Sequence, residues 1–258
     1  MTGPDAARRV PIAVQLYSLR EALAADPRGT IARVAEMGYD GVEPFGLTPE
    51  SARVQKALFD EFGLRVCSVH APLHVAAKAD TVLQVADILD CDRVVSGYGP
   101  EDFATLEGVA RCCDGFNRAQ ELAARHGLRY GVHNHWWEFE PIEGRLPYRH
   151  MLDALDPAVF YQLDVYWVQA AGLDPHDVIA ELGAKADMFH LKDGSTHKDD
   201  PMTALGTGAV DIAGIVAATR PTAHWWIVEL DRCATDMMVA VERSFAYLAG
   251  QGLGRGRS

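Results

Sequence analysis

The stretch GVHNHWWEF (131–139) carries His133 and His135 two residues apart, then two tryptophans and a carboxylate, Glu138. In an extended strand, residues two apart share a face, so both imidazoles would point the same way. The same spacing recurs in Gln162 and Asp164, His190 and Lys192, and Glu229 and Asp231, with Gln15, Glu43 and His70 as single polar residues in comparable apolar segments. Imidazole and carboxylate donors without thiolates suit a divalent ion such as Zn, Mn or Co, and the same groups can carry protons. Each residue alone has a plainer explanation: a strand-end histidine satisfied by a backbone carbonyl, a carboxylate capping the next helix. Their joint occurrence favours a site, because burying so many ionisable groups is costly unless a metal or a polyhydroxylated ligand partners them.

Eight apolar segments rich in Val, Ile and aromatic residues must hold these side chains. They are IAVQLYSL (12–19), GVEPFG (41–46), RVCSVHA (65–71), RVVSGYG (93–99), RYGVHNH (129–135), VFYQLDVYW (159–167), DMFHLKD (187–193) and WWIVELD (225–231). Between them lie helical stretches. In SARVQKALFDEFG the spacing of Val54, Leu58 and Phe62 marks one helical face, with Gly63 as the stop, and a long helix is expected from Phe103 to His126, ended by Gly127. Eight β-then-α units at roughly 30-residue spacing predict an α/β fold, a single (β/α)8 TIM barrel spanning residues 1–258. The alternative, a doubly wound open sheet binding a dinucleotide, lacks a GxGxxG turn after the first strand. In such a barrel, reactive residues sit at the C-terminal ends of strands, where the polar residues above fall. Trp136, Trp137, Trp167, Phe45 and Tyr98 are placed near the same ends, where they could stack on a sugar ring. The segment GTGAVDIAG (206–214) has no lysine at the P-loop position, so Asp211 is expected to cap a helix there. The Gly-rich tail, about 250–258, is expected to fray.

Composition narrows the partners. The 258 residues carry a formal net charge of −12, which disfavours nucleic acid. The five cysteines form no CxxC pair and do not make a disulfide framework, which suits a reducing compartment. The N-terminal twenty residues lack the apolar core of a secretory signal, and no apolar run approaches a bilayer-spanning length, so a cytoplasmic location without membrane contact is expected. A homo-oligomer is compatible with the sequence.

The ordered series QLYSLR, GYDGVEPFG, SVHAPL, YGVHNHWWEF, YQLDVYWV, FHLKD, LGTGAVD and IVELD resembles the xylose isomerase-like barrel superfamily, in particular its sugar phosphate isomerase/epimerase branch. The resemblance implies a divalent cofactor (Mn, Zn, Co or Mg) held by Asp164, His190 and Glu229. His133 stands where those epimerases place a strand-five glutamate, and Glu138 follows five residues later, so either could be the fourth ligand. It further implies proton abstraction next to the carbonyl of a sugar or cyclitol. Glu229, Glu138, His70 or Glu43 would move the proton, Lys192 would steady the developing charge, and Glu43, His135, Gln162 and Trp167 would contact substrate. Reprotonation gives an epimerase or isomerase; loss of a β-substituent gives a dehydratase or lyase acting on an inosose or 3-keto-glycoside. Two other classes stand beside these: an endonuclease IV-like phosphodiesterase, and a sugar-binding barrel without catalysis.

Overall fold

Each of the eight apolar segments enters a sheet of parallel strands, and most strand residues are buried, as expected of a parallel sheet covered on both faces. The computed structural model describes residues 9–257; residues 1–8, part of the N-terminus read as lacking a signal, and Ser258 lie outside the described residues. The strands are β1 (Ile12–Gln15), β2 (Gly41–Glu43), β3 (Arg65–Val66, resumed as Val69–His70), β4 (Arg93–Ser96), β5 (Arg129–His133), β6 (Phe160–Asp164), β7 (Ala186–Leu191) and β8 (Trp225–Val228). Strand β1 pairs with both β2 and β8, and pairing continues through β7, β6, β5 and β4. The first piece of β3 pairs with β2 and the second with β4, which closes the ring. Across the interruption, the Cys67 and His70 amides donate to the carbonyls of Val42 and Pro44, both at 3.0 Å. The result is a nearly closed barrel of parallel strands ringed by helices, the TIM-barrel fold.

Period-two alternation sorts the barrel interior into a lower apolar plug and an upper polar layer. Ala13, Cys67, Val95, Phe160, Met188, Trp225 and Ile227 form a small buried cluster. Two residues further along their strands stand Gln15, Gln162, His190 and Glu229. Gly131 keeps the plug dense: a Cβ there would lie 2.4 Å from the Phe160 ring. A second, larger core fills the space between strands and helices.

Several expectations need correction. The strands stop one to four residues early at their C-terminal ends, because the chain there leaves the ladder for loops or helices. Residues 165–167, expected to extend the sixth strand, instead open the helix Val165–Ala170, since the Asp164 side chain accepts from the amides of Tyr166 and Trp167. In the helix Pro49–Phe62, Ala52 and Phe59 supply the buried face, whereas Val54 is 59% exposed. Gly63 does end that helix in the left-handed region, at φ 66°. As far as Arg257 the Gly-rich tail is not frayed: Arg255 exchanges backbone hydrogen bonds with Val10 and Ile12, and the Arg257 amide donates to Gly38. Leu253 gives its carbonyl to the Trp226 indole at 3.3 Å, so the tail lies across the N-terminal end of the barrel. Among the described residues no helix is long and apolar enough to cross a membrane, and all five cysteines are free.

Candidate functional site

At the C-terminal mouth, His133 ends β5, Asp164 ends β6, His190 lies in β7, and Glu229 directly follows β8. All four are buried, and one potential ligand atom from each lies within 4.8 Å of the others. With bonds of about 2.1 Å, ligand atoms around an ion stand roughly 3.4 Å apart in a tetrahedron and at most roughly 4.2 Å apart when opposite, so the farthest pair would close by about 1 Å.

The second polar atoms of these side chains show how they are held. His133 Nδ1 is 3.0 Å from Gln162 Oε1, and Gln162 Nε2 donates to Glu43 Oε1 at 2.6 Å. The amide orientation is thus set by Glu43, its oxygen faces His133, and His133 Nδ1 must carry the proton. Nε2 is left as a bare lone pair. Asp164 Oδ1 caps the helix that follows it, while Oδ2 has no directed hydrogen bond and lies 3.0 Å from Lys192 Nζ. His190 Nε2 contacts Glu43 Oε2 at 2.6 Å, and its Nδ1 faces Glu229 Oε2 at 2.7 Å, inside the set. His133, Asp164 and His190 therefore each have one atom fixed from behind or below and one directed into the cluster, while Glu229 meets both His190 and Lys192 through Oε2. That donor set, with the orphaned Asp164 oxygen in it, fits a divalent ion.

Glu43 and Gln162, expected to touch substrate, lie beneath this layer instead. Glu43 is fully buried and accepts from Gln15 Nε2, Ser68 Oγ, Gln162 Nε2 and His190 Nε2, at 2.5–2.8 Å. It fixes His190 directly and His133 through Gln162. Burial alone would raise its carboxyl, but the charge and hydrogen bond of His190, with His70 and Ser68, hold it below the usual range. For His190, burial favours the neutral ring, but Glu229 and Glu43 together outweigh it and raise the imidazolium to about 10 without an ion; an ion bound at Nδ1 would take the place of the proton shared with Glu229.

Glu138, the other candidate ligand, is outside the cluster. Its carboxylate accepts from the His135 amide at 2.9 Å, and burial pushes it up to about 8. It ties the 135–139 turn together. His135 stacks on Trp137, with centroids 4.2 Å apart at 12°, and burial depresses its imidazole to about 3. Trp167 packs on Trp136 and beneath the Lys192 ammonium rather than on the cavity wall. Tyr98 is likewise away from the cavity, against His74 and Phe116.

A cavity of about 250 Å³ opens above the cluster, lined by Gln15, Tyr17, Phe45, His70, His133, His135, Glu229 and Asp231. Of the four-residue set, His133 and Glu229 reach this cavity, whereas two larger surface depressions touch none of the four. His70 sits edge-on to His133, with centroids 5.0 Å apart, and burial lowers its pKa, so it is a neutral base near pH 7. Tyr17 packs edge-on against Phe45 as an apolar lip. Tyr17 and Ser68 are not among the residues that the sequence singles out. Tyr17 lies two residues beyond Gln15, a period-two signal that could have found it; Ser68 sits in the break of β3, and no pattern marks it.

The Gly-rich loop after β7 is filled from within. Asp193, fully buried, accepts from the amides of Gly194, Gly206, Gly208 and Val210 at 2.9–3.1 Å. Asp211 caps the helix Ile212–Thr219, as the sequence suggests.

Residues 31–234 match the xylose isomerase-like TIM barrel family, and the chain belongs to that family. Among solved structures it is similar to a sugar phosphate isomerase/epimerase from Parabacteroides distasonis, with TM-score 0.82 and 22% identity, covering 99% of this chain and 100% of that one. It is also similar to a D-allulose 3-epimerase from Methylomonas (TM-score 0.69, 20% identity, 97% and 100% covered). A third is a probable 3-DHS dehydratase from Bacillus anthracis (TM-score 0.75, 15% identity, 93% and 99% covered). No curated protein matches the chain.

Proposed function

We propose that the protein is a divalent-metal-dependent sugar isomerase or epimerase that removes a proton next to a substrate carbonyl. The observation that carries this reading is the four-residue set, each member with one inward donor atom, at the floor of a cavity lined with proton carriers. His133, Asp164, His190 and Glu229 hold the ion, with His133 rather than Glu138 as the β5 ligand. The ion would polarise the carbonyl and stabilise the enediolate charge.

The remaining chemistry belongs to side chains. Glu229 and the neutral imidazole of His70 stand on the cavity wall from β8 and β3, three strands apart around the ring. One takes the proton and the other returns it on the opposite face, which replaces the two-carboxylate arrangement. The Lys192 ammonium, 2.8 Å from Glu229, tempers charge that builds there. His135 and the Tyr17–Phe45 lip bind and orient the substrate. The lining contains Glu229 and Asp231 but neither arginine nor lysine, which favours an uncharged polyol over a phosphate ester.

Elimination from the same enediolate is the second reading. It is favoured by the absence of a β5 carboxylate in the cavity, since a lyase needs only one strong base, and it accords with the likeness to a probable dehydratase. Proton NMR in heavy water, with ketohexoses, inososes and 3-keto-glycosides, separates the two. Deuterium entering intact substrate supports the epimerase or isomerase; release of water or an aglycone supports the lyase. Neither, with metal-loaded protein, sinks both.

A further inference from the structure

Lys192 is a whole ammonium inside the barrel mouth, 1% exposed, and its contacts are unequal. Its directed hydrogen bond goes to Asp231 Oδ2 at 2.7 Å, a carboxylate outside the four-residue set. Its approaches to Glu229 Oε2 (2.8 Å) and Asp164 Oδ2 (3.0 Å) are ion pairs with oxygens of that set. Asp231 is itself fixed: its carbonyl accepts from Arg20 at 3.0 Å, and the preceding Leu230 amide donates to Ser18 Oγ at 2.9 Å. The ammonium is therefore moored outside the set and leans into it.

Two ligand carboxylates this deeply buried repel one another unless a cation lies between them. The Lys192 nitrogen meets an orphaned Asp164 oxygen and a Glu229 oxygen, atoms that a divalent ion would also claim. From this geometry we infer that Lys192 is a built-in counter-cation: it keeps the ligand carboxylates assembled before metal arrives, competes with the incoming ion, and withdraws onto Asp231 when the ion binds. The flexible four-carbon stem permits that short movement, which a planar guanidinium would not make as easily. The face of Trp167, 5.3 Å from the ammonium, helps hold it at the edge of the set. Asp231 is a positioning residue here, acting on metal affinity through Lys192. The inference rests on the metal reading proposed above.

The test is calorimetric titration of chelator-stripped protein with Co(II), for the wild type, Lys192→Met, Asp231→Asn and the double variant. Lys192→Met is expected to bind Co(II) about tenfold more tightly while its metal-free form melts at lower temperature. Asp231→Asn is expected to bind about tenfold more weakly, because the ammonium then has only the ligand carboxylates to rest on. In the Lys192→Met background, Asp231→Asn should change affinity by less than twofold, since its effect runs through the lysine. An equal Asp231→Asn effect in both backgrounds would show simple charge addition and overturn the inference, as would unchanged or weaker binding by a folded Lys192→Met. Should Lys192→Met not fold without metal, Asp231→Asn decides alone: unchanged or tighter binding refutes the role. If the wild type takes up no Co(II), the metal reading itself fails and this inference falls with it; if it binds but the variants do not follow the pattern, only the inference fails.

Discussion

Both ends of the barrel carry charged clusters, and they are built on opposite plans. At the N-terminal end, Asp40 pairs with Arg65 and Arg255, and Asp187 with Arg129; the arginine side chains stay 42–53% exposed. At the mouth, Lys192, His190, Asp164 and Glu229 are at most 8% exposed and partner one another. Long arginine stems let the lower clusters keep one charge in water, so they add modestly to stability. The upper cluster gives up hydration on every member, and stability alone rarely rewards that. Its cost is understandable if the groups handle an ion and a substrate.

The contrast can be broken most sharply by removing one carboxylate at each end. Glu229→Ala should lose bound metal on elemental analysis and slow solvent-deuterium exchange at least about a thousandfold. Asp40→Ala should retain both and lose about 1 kcal/mol in urea unfolding. Full metal content in Glu229→Ala would refute the site. A subtler probe uses Glu138, a mouth residue assigned here to structure. Its folded pKa of about 8 lies above its unfolded value, so its contribution is fully present below the unfolded pKa and is lost as pH rises through 8. Between about pH 5 and 8, Glu138→Gln should therefore gain on the order of 3 kcal/mol relative to wild type, with metal content unchanged. Loss of metal would restore Glu138 as a ligand. The smallest effect is expected from deleting residues 253–258, which removes the Leu253 carbonyl from Trp226 and the Arg255 pairings. About 2 kcal/mol of stability should go, with Co(II) affinity intact.

How much of this is legible in the sequence depends on the kind of information each feature needs. Strand alternation is local and has a fixed period, so it assigns His133, Asp164, His190 and Glu229 to one face without reference to their neighbours in space. Depth is not local. Glu43 and Gln162 carry the same side chains whether they meet substrate or support it, and only the register of β2 against β1 and of β6 against β5 puts them under the ligands. Glu138 is ambiguous in sequence because five residues can reach back or turn away, and the choice rests on one bond to the His135 amide. Trp167 departs from its expected place because Asp164 both ends a strand and begins a helix, which breaks the alternation three residues before the indole. The tail has the composition of a disordered segment, yet its backbone pairs with Val10, Ile12 and Gly38, groups at the other end of the chain.

The Asp193 side chain, seated among four amides of the loop that follows β7, has a consequence for binding. A glycine-rich loop that waits for a phosphate must lose conformational freedom when the ligand arrives, and that loss is subtracted from affinity. Here the anion is part of the chain, so the loop takes its shape during folding. The segment that follows His190 and Lys192 is thus held in place without any bound anion.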